Sequence, residues 1–492
     1  MKNFAKLFVA AFIVALVAAL FAMSASATAG MTDPNTLKPG SEDVVFIMDP
    51  AEDGTLPGDG SGLEPENPLE ALDHESFDPD VDAPKMYLQT ELYQATEMLA
   101  KTGGTIVIMG PVKIGIDETY GSGSTTRDLF TAQFGKNTIK FTSVWNGVDY
   151  RETNGAKIIL ETPAEIGVHG QSIWENIDIV TRDTNRVISF NFWPTLVGEG
   201  VRCYPEDEMF EGVAPNYISL SAGHRYAGGV DKTTSLVVKS GSYNIIAGGE
   251  WGVNNTRKYN TEDDPNSGIK STNNMDGAST VNLVLEGTTT VYGSVIGTCR
   301  QNAEFSGNVN LTINGGKYEC DIYGVGHTGM GNKDGQVILK VNGGDFSTCW
   351  SLNDCVEGCS NNPPALSILD FSGWTGELSG IAQAYSIVTS FTRFKFPDGV
   401  TEDQVLAALP SGDETTAPSN DDVTEAPADE DDDAPAADDE NNEENKKDDS
   451  AVDVGNNGGG NIGLIIAIIA GALILAGAAV AIVLILSKNK KK

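Results

Sequence analysis

Apolar residues in this chain fall in short runs broken by glycine, asparagine and aspartate. Val44-Val45-Phe46-Ile47-Met48 and Thr105-Ile106-Val107-Ile108-Met109 have the length and content of buried strands. Between them Leu88, Leu92, Ala95 and Leu99 recur at helical spacing, and Gly103-Gly104 stops that helix. From there to about residue 396 the pattern is strand after strand, and no second long helix is expected.

Four segments repeat one another: Ser235 to Tyr243, Asn282 to Thr290, Asn310 to Tyr318 and Val337 to Phe346, each a strand, a glycine turn and another strand. Gly287, Gly315 and Gly343 stand 28 residues apart, and a fixed period of that size signals stacked coils. One such coil cannot bury its apolar face alone, whereas a stack bonds edge to edge around a continuous core. Glycine at the repeated corners predicts turns with positive φ. Short strands at regular spacing also suit a β-sandwich, and that alternative stays open here.

The two ends have a different pattern. Lys2 and Lys6, the apolar run Leu7 to Phe21 and the small residues Ser24 to Gly30 predict a signal peptide cleaved after Ala27, an uncleaved anchor being the alternative. Ile462 to Leu486 is apolar apart from glycines, and about 20 such residues cross a bilayer as a helix. Lysines at 488 and 490–492 follow it and acids precede it, so the C-terminus is expected in the cytoplasm and the rest outside. A glycolipid-anchor signal would share the apolar tail but not its terminal lysines.

The expected organisation is a signal peptide (1–27), an N-terminal opening region with a capping helix (28–104), a coiled β ectodomain (105–410), an acidic spacer (411–461), a transmembrane helix (462–486) and a lysine tail (487–492). The net charge of -37 is concentrated in residues 33–82 and 413–453. Such a chain lacks the clustered Lys and Arg that nucleic acid requires, so no nucleic-acid partner is expected. The spacer is too charged and too poor in apolar residues to form a core, which predicts an extended tether. All six cysteines (Cys203, Cys299, Cys320, Cys349, Cys355, Cys359) fall in the exterior part, where disulfides persist. Their pairing stays open, and the absence of a histidine at ligand spacing argues against zinc.

Gly58-Asp59-Gly60-Ser61-Gly62 followed by Pro68-Leu69, the helix Leu88 to Leu99, and Gly103 to Gly110 resemble the opening region of pectate-lyase-like right-handed parallel β-helix surface proteins of bacteria. Ile139 to Ser143, Ala156 to Leu160 and Ser172 to Ile179 look like successive coils, and the likeness spans about residues 42–400. It implies an all-β solenoid whose open end is covered by a short helix. It implies little about activity.

Enzymes of that architecture cut polysaccharides with converging carboxylates, sometimes with calcium. Asp178 with Asp183, Asp321 with Asp345, and Arg182 or Arg186 are the candidates, though none lies in a catalytic motif. His74, His169, His224 and His327 form no triad or metal motif. No cofactor is expected, and calcium stays open. Trp251, Arg300, His327 and Trp350 follow the repeated second strands, which predicts a common rim where aromatic faces and planar donors hold a ligand. The sequence therefore suggests a membrane-anchored surface protein for adhesion or glycan binding. A surface-tethered polysaccharide lyase or glycoside hydrolase, and a structural envelope component, are the alternatives.

Overall fold

Alternation of apolar and polar residues decides which side chains turn inward. In the strand Asn308–Ile313, Val309, Leu311 and Ile313 are wholly buried, while Asn310 and Thr312 reach the outer surface. The structure, a computed structural model, describes residues 32–51, 54–69, 90–114, 128–160, 165–181, 187–206, 217–223, 233–249, 274–275, 280–298, 304–305, 307–326, 335–355 and 364–409. All belong to one unit, Met1–Asp413. The expected signal peptide, spacer, transmembrane helix and lysine tail lie outside the described residues.

The described chain is mostly β and forms long parallel sheets. An eleven-stranded sheet begins at Val44–Ile47 and Gly104–Ile108, collects one strand from each later coil, and ends at Leu366–Asp370 and Arg393–Lys395. A ten-stranded sheet runs from Asp128–Phe130 to Val388–Ser390, and a four-stranded sheet holds Pro111–Ile114, Lys157–Leu160, Asp178–Thr181 and Arg202–Pro205. Early coils visit all three sheets in turn. Later coils pass between the two larger ones, and two of them add the short parallel pair Asn274–Met275 and Glu304–Phe305. This is a parallel β-solenoid, and it satisfies the expectation of stacked coils rather than of a sandwich.

Parallel in-register stacking makes side chains of one kind lie over one another. Val45, Ile106, Phe141, Trp174, Val197, Val238, Leu285, Ile313 and Val341 form one interior row of the long sheet. Leu236, Leu283, Leu311, Leu339 and Leu369 form a second. Phe141 and Trp174 stack within the first row, ring centroids 4.4 Å apart. The repeat period is also written in side-chain hydrogen bonds: Asn310 Nδ2 donates to Asn282 at 2.9 Å, and Asn342 Nδ2 to Asn314 at 2.9 Å, each across 28 residues.

Two details depart from the sequence expectations. In the paired-glycine corners the positive φ falls on the second glycine, Gly316 (φ 92°) and Gly344 (φ 125°), and not on Gly315 or Gly343. Tyr318 and Phe346 turn inward two residues later, and Gly316 is where the chain reverses tightly: a Cβ there would lie 2.6 Å from the Thr289 carbonyl oxygen. A further helix, Leu378–Ser386, also exists, contrary to expectation. Two of its three buried residues, Ala382 and Ala384, are small, so its apolar periodicity is faint. Tyr385 donates to Glu402 of the helix Glu402–Ala407 and packs on Phe394 of the last long-sheet strand.

The first helix spans Glu91–Met98, with the Thr90 hydroxyl accepting the Tyr93 N–H at 3.2 Å as its cap. Leu92, Ala95 and Leu99 join the main core, as their spacing predicts. On the outer face of the long sheet the row Ile173, Leu196, Val237 and Val284 is apolar. Leu37, beside the short turn Pro34–Thr36, packs on this row and covers it.

Candidate functional site

Asp178, the leading carboxylate in the sequence, begins a strand of the four-stranded sheet. Arg202, its in-register neighbour on the next coil, donates to both of its oxygens, Nε at 2.7 Å and Nη2 at 2.9 Å. The Tyr204 hydroxyl donates to it at 3.0 Å, and Arg151 Nη1 lies 3.8 Å away. Arg151 is itself held by Asp149 and by the Gly200 carbonyl at 2.7 Å. The Arg151 bond holds the Asp149 carboxyl below its usual range, and burial together with Asp178 pushes Tyr204 up to about 12. A carboxylate held by three hydrogen bonds and a nearby second guanidinium ties three coils together. Asp183, Arg182 and Arg186 lie outside the described residues.

The carboxylates of the second pair are held more lightly, each by a serine. Asp321 accepts from the Ser351 hydroxyl on the next coil. The Ser347 side chain, and then its N–H at 2.9 Å, hold the Asp345 carboxyl below the usual range. His169 is buried in the interior, where loss of solvation lowers its pKa to about 4. His74, His224 and His327 lie outside the described residues. Among the described residues no group of three His, Cys, Asp or Glu side chains is placed to hold a metal ion.

Of the four rim residues only Trp350 is described; Trp251, Arg300 and His327 are not. Trp350 is 67% exposed. The reason is a difference in coil length. Tyr318 and Phe346 are inward-facing positions 28 residues apart, yet Asp321 pairs with Ser351 at 30, so the later coil carries two more residues in this corner and Trp350 is pushed out.

Beside it runs a row of side chains that sequence reasoning did not single out. Tyr217 and Tyr292 stack with ring centroids 4.5 Å apart, meeting across the intervening strand Ser242–Ala247. On the next coil Lys317 and Glu319 form an ion pair, and both Tyr292 and Asp345 lie close enough to act on the Lys317 charge. Tyr217 is raised from its ordinary value by burial, by the Tyr292 hydroxyl and by Glu319. Aromatic faces, a cation, carboxylates and then Trp350 thus follow one another from coil to coil, outside the ten-stranded sheet. The signal was available in the repeat: Tyr292 follows the inward Val291, so alternation turns it out.

Cys203, Cys320 and Cys349 are buried and stand as thiols. Cys203 lies against Tyr243 and, with Cys349, is pushed up to about 12 by burial, while Cys320 is raised further still. Cys299 and Cys359 lie outside the described residues. Comparison of the chain with protein-family models, with curated proteins and with solved structures finds no match.

Proposed function

We propose that this chain is a membrane-anchored surface protein whose solenoid, right-handed as in the β-helix proteins it resembles, binds an extended glycan along its outer surface. The observation that carries this reading is the row Tyr217, Tyr292, Lys317, Glu319 and Trp350, which crosses successive coils. Coils repeat about every 4.8 Å, so a ligand with a regular backbone meets a new set of side chains at each step. Aromatic faces accept the apolar side of a sugar ring, and the neighbouring charged groups hydrogen-bond its hydroxyls. Trp251, Arg300 and His327 are proposed to extend the same rim.

The rest of the reading follows from the sequence. The leading segment directs export, 462–486 anchors the protein, the acidic stretch 411–461 holds the solenoid away from the membrane, and the helix Glu91–Met98 caps the first coil. The engagement of Asp178, the leading carboxylate, by Arg202 and Tyr204 favours binding over hydrolysis.

The test incubates the purified full-length chain with neutral and acidic polysaccharides, with and without calcium, and measures both retention and polymer length. Retention of intact polymer, lost in a Tyr217→Ala/Tyr292→Ala/Trp350→Ala variant whose thermal midpoint is unchanged, supports the proposal. Shortened polymers would replace it with a lyase or hydrolase. No retention of any polymer would leave the structural envelope reading.

A further inference from the structure

Next to Trp350 in the chain, two buried cysteines from successive coils lie against each other, Cys349 touching the backbone of Cys320. The Cys349 Sγ lies 3.1 Å from the carbonyl oxygen of Cys320, and the Trp350 N–H donates to that same oxygen at 3.2 Å. Cys349 therefore rests on the backbone of Cys320 itself, and both side chains face the core. Adjacent strands of a sheet run about 4.8 Å apart, inside the roughly 4.4–6.8 Å range of Cα separations that a disulfide spans. The local chain also has slack, because this corner holds two residues more than the coil before it.

We propose that Cys320 and Cys349, thiols in this structure, become joined on oxidation by a disulfide that staples the two coils and fixes the outward corner carrying Trp350. The oxidant is a disulfide of small-molecule or protein origin, acting by two exchange steps. The thiolate of one cysteine attacks the oxidant's S–S bond, forming a mixed disulfide and releasing one thiol. The thiolate of the second then attacks the protein sulfur of that mixed disulfide, forming the Cys320–Cys349 bond and releasing the other thiol. One disulfide is reduced to two thiols as two protein thiols are oxidised to one disulfide, with both protein protons passing to the released thiolates. Exchange requires the thiolate, and burial disfavours it in both residues. The bond therefore forms while the coils are assembling, and the folded dithiol protein reacts slowly. This pairing concerns the stability of the corner and stands whether or not the surface above it binds a glycan.

The experiment isolates the full-length chain from a secreting host, blocks free thiols with N-ethylmaleimide under denaturing conditions, and maps the proteolytic peptides by mass without reduction. The expected result is a linked pair of peptides holding Cys320 and Cys349, absent after reduction. Alkylation of both residues, or linkage of either to Cys203, Cys299, Cys355 or Cys359, overturns the proposal. A second measurement compares thermal midpoints of chain folded with and without reductant. The roughly 30-residue loop closed by the bond predicts a midpoint about 4 °C lower in the reduced chain. A Cys320→Val/Cys349→Ala variant should show no such dependence, and an equal dependence there would assign the effect to other cysteines and overturn the staple.

Discussion

Arg202 and Asp178 face each other in register on adjacent strands, with the guanidinium fork on both carboxylate oxygens at 2.7 and 2.9 Å. The Asp178 side chain is only 8% exposed while that of Arg202 is 48% exposed, so the two partners are not equivalent. Removing the arginine strands a buried charge; removing the aspartate frees a largely solvated one. Arg202→Ala should destabilise the solenoid by about 2 kcal/mol, and Asp178→Ala combined with Arg202→Ala by less than the sum of the single changes. Denaturant unfolding of the four proteins in the cycle checks this.

Leu311 lies between Leu283 and Leu339 in the middle of an interior row, with core on both sides. Leu311→Ala leaves a cavity that stacked coils cannot close by moving one strand alone, and should cost about 3 kcal/mol. Leu63, which is 60% exposed, provides the control: Leu63→Ala should change stability by less than about 0.5 kcal/mol.

Gly316 and Gly54 both have positive φ, 92° and 76°, but only Gly316 is crowded, with a backbone oxygen 2.6 Å from any added Cβ. Alanine at Gly54 meets only the conformational penalty, about 1 kcal/mol. Alanine at Gly316 must also displace the neighbouring coil, so its loss of thermal stability should be clearly larger. Equal losses at the two sites would remove the steric argument.

Glu91 and His169 tilt the pH dependence in opposite directions. Burial, reinforced by Asp49, raises Glu91 from 4.5 to about 7, so the folded state holds more protons than the unfolded one between those values and stability falls as pH rises across them. Burial lowers His169 from 6.5 to about 4, so stability falls as pH drops through that window. Between about pH 4.5 and 6.5 the two slopes oppose each other. Glu91→Gln should uncover a stability that rises with pH in this range, and His169→Gln one that falls. Unfolding midpoints from pH 4 to 8 read both.

The coiled architecture was legible because its cause is local. Alternation in the four repeats turned Val309, Leu311 and Ile313 inward, and the 28-residue period set which residues lie over which, down to the Asn282–Asn310 and Asn314–Asn342 bonds. Leu92, Ala95 and Leu99 likewise announced a helix with one apolar side. The helix Leu378–Ser386 gave no such signal, because alanines supply little contrast between its faces. Neither did the apolar outer row Ile173, Leu196 and Val237, whose cover, Leu37, comes from more than a hundred residues earlier in the chain.

The surface chemistry divides along the same line. Sequence named Trp350 and Asp178, but not that one is pushed out by two extra residues in its coil while the other is bound on three sides. The stacking of Tyr217 on Tyr292, 75 positions apart, depends on how many residues each coil uses before it returns to the same sheet. Periodicity fixes the direction in which a side chain leaves its strand, because that is a property of the backbone next to it. Which distant side chain it then meets is decided only when the coils stack, since insertions at the corners shift one coil against the next without altering any strand.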